Sequence, residues 1–141
     1  MKKVLFLCTG NSARSQMAEA IVNARMGDEW QAVSAGTQPS GYVHPQALEA
    51  LHEIGIEHVG RSKHTDEFRD TPFDLVVTVC DDAAEKCPIW LGQGRRMHLG
   101  FPDPAAAKGT AAEILDVFRS VRRRIEREVP DLLSRYATAS V

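Results

Sequence analysis

The apolar positions of this chain follow two patterns, short continuous runs and longer stretches with helical spacing. The runs predict four β-strands, over Lys3–Leu7, Trp30–Ala35, Asp74–Val79 and, as a short candidate last strand, Arg95–Leu99. Apolar residues three and four positions apart predict three amphipathic helices, over Ser15–Met26, Gln46–Ile54 and Thr110–Tyr136. Strands and helices therefore alternate along most of the chain.

Glycines and prolines mark the ends of several of these elements. Gly36 follows the second strand, and Gly55 is placed to stop the second helix. A short helical turn is predicted near Thr65–Phe68. Pro130 lies inside the last helical stretch, so we expect it to kink or split that helix.

The alternating order predicts an α/β fold in which a central four-stranded parallel sheet carries helices on both faces. The chain has 141 residues, of which 43% are hydrophobic, so residues 1–141 are expected to form a single domain with one core. In sheets of this kind, ligands bind beyond the carboxyl ends of the strands. The chemistry is therefore expected at that edge of the sheet.

The charge balance argues against nucleic-acid and membrane-surface binding. Lys plus Arg number 17 and Asp plus Glu number 19, which gives a net charge of −2. The first apolar run, Val4–Cys8, is too short for a signal-peptide core or a membrane span. We expect a cytoplasmic monomer that binds neither nucleic acid nor membrane and holds any anion with local groups.

The cysteine count points to reactive thiols rather than a disulfide framework. Cys8, Cys80 and Cys87 make an odd number in a chain without an export signal. At least one thiol must be free, so a reactive thiol or a metal-binding thiol has to be considered. A zinc site lacks ligands, because no second Cys or His pair has the required spacing and His98 is isolated, so no metal is predicted.

The loop from Cys8 to Ser15 joins the first strand directly to the first helix and predicts an oxyanion site. Backbone N–H groups and the helix dipole concentrate positive potential at such a loop, Gly10 permits its tight turn, and Arg14 can grip two oxygens of the anion. The same potential favours Cys8 as a thiolate nucleophile. The alternative is an ordinary core cysteine and a surface arginine. The expected oxyanion-binding residues are Thr9, Gly10, Asn11, Ser12, Ala13, Arg14 and Ser15.

Asp103 lies between Pro102 and Pro104, which stiffen the backbone on both sides of it. A rigidly held carboxyl group suits a general acid that delivers a proton to a leaving oxygen. The alternative is a simple turn, since Asp and Pro are common turn residues. The Cys8 loop makes the catalytic interpretation the better one.

Cys80 follows the third predicted strand, so it is expected at the same edge of the sheet as Cys8. The alternative for Cys80 and Cys87 is a pair of buried core cysteines. The segment between them is helix-prone, and seven residues of helix would separate their Cα atoms by roughly 10 Å. A disulfide needs about 4.4–6.8 Å. If these two thiols pair, the segment must unwind.

From Val4 to about Ala105 the sequence closely resembles the thioredoxin-coupled arsenate reductases that are built on the low-molecular-weight protein tyrosine phosphatase fold. The resemblance rests on Cys8–Ala20, Ser34–Gly36, Val77–Cys80, Cys87-Pro88 and Asp103-Pro104. The loop and the Asp-Pro pair would fit the whole phosphatase superfamily. The two additional cysteines fit only the reductase branch.

The resemblance implies a role for each of these residues. Cys8 would attack arsenate, Arg14 would stabilise charge on the oxyanion, and Asp103 would protonate the departing hydroxyl. Cys80 would then attack Cys8 and release arsenite, and Cys87 would attack Cys80. Thioredoxin would reduce the resulting disulfide, with NADPH supplied indirectly through thioredoxin reductase and no bound cofactor.

Two loop residues are given supporting roles by the same resemblance. Ser15 is expected to donate a hydrogen bond to the Cys8 thiolate, and Asn11 is expected to shape the loop. Their alternatives are an N-terminal helix cap for Ser15 and an ordinary turn residue for Asn11.

One position departs from the resemblance. Some relatives bind potassium through side chains corresponding to Asn11, Glu19 and Ser34 together with an Asp from the middle loop. This chain has Arg61-Ser62-Lys63-His64 where that Asp would lie. We expect the Lys63 ammonium to occupy the place of the ion, the alternative being a solvated loop charge.

Two other functions stay open on sequence grounds. A phosphotyrosine phosphatase would need only Cys8, Arg14 and Asp103, but Ala105–Ala107 follows the Asp-Pro pair where aromatic residues would stack on the substrate ring. Weak phosphatase activity is compatible with this sequence. The third hypothesis is a non-catalytic oxyanion-binding redox switch.

Overall fold

The computed structural model describes residues 1–81 and 89–139, with side chains described as far as Tyr136. Four strands are present: β1 (Lys2–Cys8), β2 (Trp30–Gly36), β3 (Leu75–Thr78) and β4 (Arg95–His98). Three α-helices accompany them: α1 (Arg14–Arg25), α2 (Pro45–His52) and α3 (Ala111–Ala139). Short 3₁₀ turns cover Thr65–Phe68 and Pro104–Ala106.

The strands form one parallel sheet in the order β2-β1-β3-β4, as the alternating pattern predicts. β1 lies in the middle, with Cys8 opposite Gly36 of β2 and Leu7 opposite Thr78 of β3. The carboxyl ends of the three strands therefore meet at one edge of the sheet. The α/β fold class with its four-stranded parallel sheet is confirmed. The expected helices on both faces are not seen within the described residues, where α1, α2 and α3 all contribute to the core on one face.

Alternating residues of the strands supply two hydrophobic cores on opposite faces of the sheet. On one face, Val4, Phe6 and Cys8 belong to the larger cluster, to which α1, α2 and α3 all contribute side chains. On the other face, Leu5 and Leu7 join a smaller cluster. Its remaining members and neighbours come from other strands, the Thr65–Phe68 turn and the loops, and are Val33, Ala35, Phe68, Phe73, Val76 and Trp90.

Element ends differ from the predicted ones where capping decides them. α2 begins one residue early, because Pro45 fits the first helical position and the His44 side chain accepts from Gln46 N–H, and it ends at His52 rather than Ile54. α3 begins after Thr110, because the Thr110 hydroxyl accepts from Glu113 N–H while the Glu113 carboxylate accepts from Thr110 N–H.

α3 runs through Pro130 as one helix, so the predicted split is wrong. Val129 and Leu133 are buried on either side of the proline, so both halves of the helix pack against the core. No helix within residues 1–81 and 89–139 combines the length and apolar character needed to cross a bilayer.

Candidate active site

Cys8 ends β1 with a free thiol that is buried at the bottom of a small cavity. The backbone N–H of Asn11 donates to Cys8 Sγ at 3.2 Å, and Ser15 Oγ lies 2.9 Å from the same sulfur. Asn11 Nδ2 donates to Ser15 Oγ at 2.8 Å, which leaves the hydroxyl proton of Ser15 to point at the sulfur. Hydrogen-bond donors aimed at Cys8 stabilise a negative charge there.

The loop between Cys8 and α1 is held in shape by the segments around it. Its carbonyl groups accept hydrogen bonds: Thr9 from Gln38 N–H, Gly10 from Ser40 N–H and the Ser62 hydroxyl, and Ser12 from His44 N–H. Asn11 adopts a left-handed backbone conformation with φ of 48°. These contacts support the shaping role predicted for Asn11. The loop encloses a cavity of about 230 Å³, lined by Cys8–Arg14, Asp103 and Ala105.

Gly36 lets the end of β2 approach this loop closely. A Cβ atom at that position would lie 2.3 Å from the carbonyl oxygen of Thr9 and 2.9 Å from that of Cys8. Any side chain would push the backbone of the loop away. Gly36 is therefore needed for the loop geometry as well as for ending a strand.

Arg14 and Asp103 face each other across the cavity. Arg14 is buried, its Nη1 donates to the carbonyl oxygen of Phe101 at 3.2 Å, and its Nη2 lies 3.9 Å from Asp103 Oδ2. The Arg124 guanidinium covers the ring of Phe101 at 4.9 Å. The alternative of a surface arginine is wrong, because Arg14 is buried, donates to the Phe101 carbonyl and faces Asp103 across the cavity.

Asp103 caps a turn and also lines the cavity, so its position is compatible with both interpretations from the sequence. Its Oδ1 accepts from Ala105 N–H at 3.0 Å and caps the Pro104–Ala106 turn. Its Oδ2 faces Arg14, and the side chain is 40% exposed at the cavity mouth. His44 lies near this carboxylate, and burial lowers the pKa of His44 while Asp103 opposes the shift. The neutral imidazole is therefore favoured there.

A buried polar cluster supports the loop from below, and sequence reasoning found only part of it. Glu19 accepts from Ser34 Oγ at 2.9 Å and lies 3.8 Å from Lys63 Nζ and 3.7 Å from His58 Nε2. Lys63 is 8% exposed, so the alternative of a solvated loop charge is wrong. Burial lowers the pKa of Lys63, while Glu19 favours its charged form. The Lys63 ammonium lies among the side chains that, by the resemblance, correspond to the potassium ligands of some relatives.

Cys80 lies two residues beyond β3 in the same core cluster as Cys8. Val79 N–H donates to the carbonyl oxygen of Leu7 at 2.8 Å, which brings the two cysteine-bearing strand ends side by side. Cys80 is fully buried and disulfide-bonded, whereas Cys8 is a free thiol. Cys87, and with it the predicted helical segment and its unwinding, lies outside the described residues.

Residues 3–140 match the low molecular weight phosphotyrosine protein phosphatase family. The chain belongs to this family. An arsenate reductase of Bacillus subtilis (strain 168) is 45% identical to it over 128 residues, which is 88% of this chain and 89% of the relative. The region matched by the family covers the four strands from Lys3 onward and the Cys8 loop.

Solved structures of arsenate reductases share the fold. One in the oxidized state superimposes with a TM-score of 0.78 at 31% identity, covering 96% of this chain and 99% of that one. Another, in the phosphate binding state, gives a TM-score of 0.73 at 29% identity over 96% and 99% of the two chains. Both the reductase branch and the phosphatase fold named from the sequence are confirmed.

Three residues of the polar cluster escaped sequence reasoning: Gln16, His58 and Gly60. Gln16 donates from Nε2 to Asn11 and Arg61, and accepts from His58 at Oε1. The two partners His58 and Gln16 are 42 residues apart, so no local spacing reveals the pair. The only signal available in the sequence was an amide in the first turn of a helix that follows an anion loop.

Proposed function

We propose that this chain reduces arsenate to arsenite, with Cys8 as nucleophile and thioredoxin as the reductant. One observation carries the proposal: the free Cys8 thiol, the Arg14 guanidinium and the Asp103 carboxyl group converge on a single cavity. The similarity to arsenate reductases supports arsenate as the substrate. The protein acts as a cytoplasmic monomer with no bound cofactor.

In the first step, arsenate binds above Cys8 and is held by Arg14 and the loop amides from Thr9 to Ser15. Cys8 Sγ attacks the arsenic atom, a sulfur–arsenic bond forms and an arsenic–oxygen bond breaks. The departing hydroxyl takes a proton from Asp103 and leaves as water. The Asn11 N–H donates a hydrogen bond to the attacking sulfur, and the Ser15 hydroxyl lies within hydrogen-bond distance of it.

The second step moves electrons onto arsenic. Cys80, as a thiolate, attacks Cys8 Sγ, so a disulfide forms while the sulfur–arsenic bond breaks. The electron pair of the broken bond stays on arsenic, which passes from As(V) to As(III) and leaves as arsenite. The side-by-side ends of β1 and β3 support this pairing of thiols.

The third step returns Cys8 to its thiolate. Cys87 attacks Cys80, which forms a Cys80–Cys87 disulfide and releases Cys8. Thioredoxin, a dithiol protein, then reduces this disulfide and is oxidised in turn, and thioredoxin reductase with NADPH restores it.

A phosphatase side reaction needs only Cys8, Arg14 and Asp103, and family membership favours it. Ala105 lines the cavity at a position where an aromatic side chain would stack on a phenyl ring. We therefore expect weak hydrolysis of aryl phosphates and poor binding of the aryl group.

The test is a multiple-turnover assay with arsenate, thioredoxin, thioredoxin reductase and NADPH. NADPH oxidation and arsenite release are both measured. We expect both to proceed in a one-to-one ratio, and the Cys8→Ser variant to show neither. A protein that hydrolyses p-nitrophenyl phosphate at multiple turnover but never consumes NADPH with arsenate would be a phosphatase, and the proposal would be wrong.

A further inference from the structure

Gln16 has a hydrogen-bond pattern that fixes the orientation of its side-chain amide. Its Nε2 donates to three oxygens, the Asn11 carbonyl at 3.2 Å, Asn11 Oδ1 at 3.1 Å and the Arg61 carbonyl at 2.9 Å. The opposite end, Oε1, must then accept, and it lies 2.8 Å from His58 Nε2. His58 therefore carries its proton on Nε2.

The Gln16 amide in turn holds the residue that contacts the nucleophile. Asn11 is fully buried in a left-handed conformation, which costs a non-glycine residue free energy unless its surroundings fix it. In this conformation its N–H reaches Cys8 Sγ and its Nδ2 reaches Ser15 Oγ. A continuous chain of hydrogen bonds thus runs from His58 through Gln16 and Asn11 to the sulfur.

We propose that His58 is a positioning residue for the nucleophile: its Nε2–H orients the Gln16 amide, which holds Asn11 in the conformation that donates to Cys8. The inference rests on the proposed function only in naming Cys8 as the nucleophile. His58 touches neither the cavity nor the reacting atoms and acts through two intervening side chains.

Gly60 gives an independent observation for the same contact. A Cβ atom at Gly60 would lie 2.2 Å from His58 Nε2 and 2.4 Å from Gln16 Oε1. The backbone therefore passes directly over this hydrogen bond, and only glycine leaves room for it. The clashing atoms are the ends of two side chains, so a methyl group would separate them and leave both residues in place.

The charged groups around His58 leave the donor intact. Glu19 Oε2 lies 3.7 Å from His58 Nε2, and Lys63 Nζ lies beyond it, 3.8 Å from the other carboxylate oxygen. Burial lowers the pKa of His58, with Glu19 opposing and Lys63 adding to the shift, so the neutral ring is favoured. Since both the neutral Nε2–H tautomer and the imidazolium donate from Nε2, the contact to Gln16 is kept in either state.

The test compares His58→Leu, His58→Gln and Gly60→Ala in the full-length reduced protein. Leu removes the donor, Gln replaces it with an amide N–H, and the new methyl group of Ala pushes donor and acceptor apart. The measurement is the pH dependence of iodoacetamide alkylation at Cys8, read on the Cys8 peptide by mass spectrometry. His52→Leu is the matched control, because His52 is an exposed histidine paired with Glu57.

We expect His58→Leu and Gly60→Ala to move the midpoint of Cys8 alkylation upward by about one pH unit, the size expected when the sulfur loses a hydrogen bond. His58→Gln should return it toward wild type, and His52→Leu should not move it. Folded His58→Leu and Gly60→Ala variants with the wild-type alkylation profile would overturn the inference. Alkylation needs no arsenate, so a shifted midpoint in a protein that fails the turnover assay would reject the proposed function alone.

Discussion

Arg14 Nη2 lies 3.9 Å from Asp103 Oδ2, and the two side chains close the cavity over Cys8 from opposite sides. The arginine is buried and held by the Phe101 carbonyl, whereas the carboxylate is 40% exposed and fixed at its other oxygen by Ala105 N–H. Arg14 is thus oriented into the cavity, and Asp103 lies at its solvent-exposed mouth.

Replacing Asp103 separates its capping role from its acid role. Asp103→Asn keeps an oxygen for Ala105 N–H but cannot give a proton, whereas Asp103→Ala loses both functions. We expect the single-turnover rate of arsenate reduction to fall by about 10²–10⁴-fold in both variants, the usual contribution of a general acid. Only Asp103→Ala should also lose thermal stability. A near-normal chemical step in Asp103→Asn would remove this residue from the mechanism.

Tetrahedral anions should compete for the cavity above Cys8. Because the loop and Arg14 are expected to bind any such oxyanion, sulfate or phosphate should inhibit arsenate reduction and slow alkylation of Cys8. The measurement is the alkylation rate of the Cys8 peptide with and without saturating sulfate at constant ionic strength. Equal rates would show that the anion and the thiol do not share a site.

Lys63 should make the protein indifferent to potassium. Its ammonium lies 3.8 Å from the carboxylate of Glu19, whose side chain is only 12% exposed, so activity and melting temperature should be equal in potassium and sodium buffers of the same ionic strength. Lys63→Met should lose about 3 kcal/mol of stability, because it leaves Glu19 without its ammonium partner. Lys108→Met, at an exposed position, is the control. A rise in activity and stability specific to potassium in the wild type would contradict this role of Lys63.

Acid stability should depend on the ion pairs between Glu53, which directly follows α2, and two arginines of α3. Hydrogen bonds from Arg119, then from Arg122, lower the pKa of Glu53 from 4.5 to about 2. The carboxylate is favoured in the folded state, so its contribution to stability is complete above pH 4.5 and is lost as the pH falls toward 2.

The melting temperature of the wild type should therefore fall more between about pH 5 and pH 3 than that of Glu53→Gln, which has no carboxylate to protonate. Glu49→Gln, at an exposed position in α2, removes the same charge and should follow the wild type. Identical acid sensitivity of the wild type and Glu53→Gln would contradict the role of these ion pairs.

The parts of the fold that the sequence predicted well are those where one local pattern decides the outcome. The run from Val4 to Leu7 is buried on both faces of a parallel sheet, so it has to be continuously apolar, and its strand was found nearly to the residue. The end of α2 and the continuity of α3 through Pro130 were missed, because capping and long-range packing override the local signal there.

The candidate site likewise contains residues that a local sequence pattern reveals and residues that it does not. Cys8, Arg14 and Asp103 could be singled out because an anion loop and an Asp between prolines are local patterns. The support from Gln16 and His58 was not predictable, because it depends on a loop folding back beneath α1. The role of Gly60 follows only from the path of the backbone over that contact.

The most direct test of the three-cysteine relay is a single-turnover experiment with Cys87→Ser. The variant lacks only the thiol that would resolve the Cys8–Cys80 disulfide, so it should release about one arsenite per protein and then stop, even with thioredoxin present. Peptide mass spectrometry of the stalled protein should find Cys8 joined to Cys80. Continued turnover of this variant, or arsenite release without a Cys8–Cys80 disulfide, would contradict the relay.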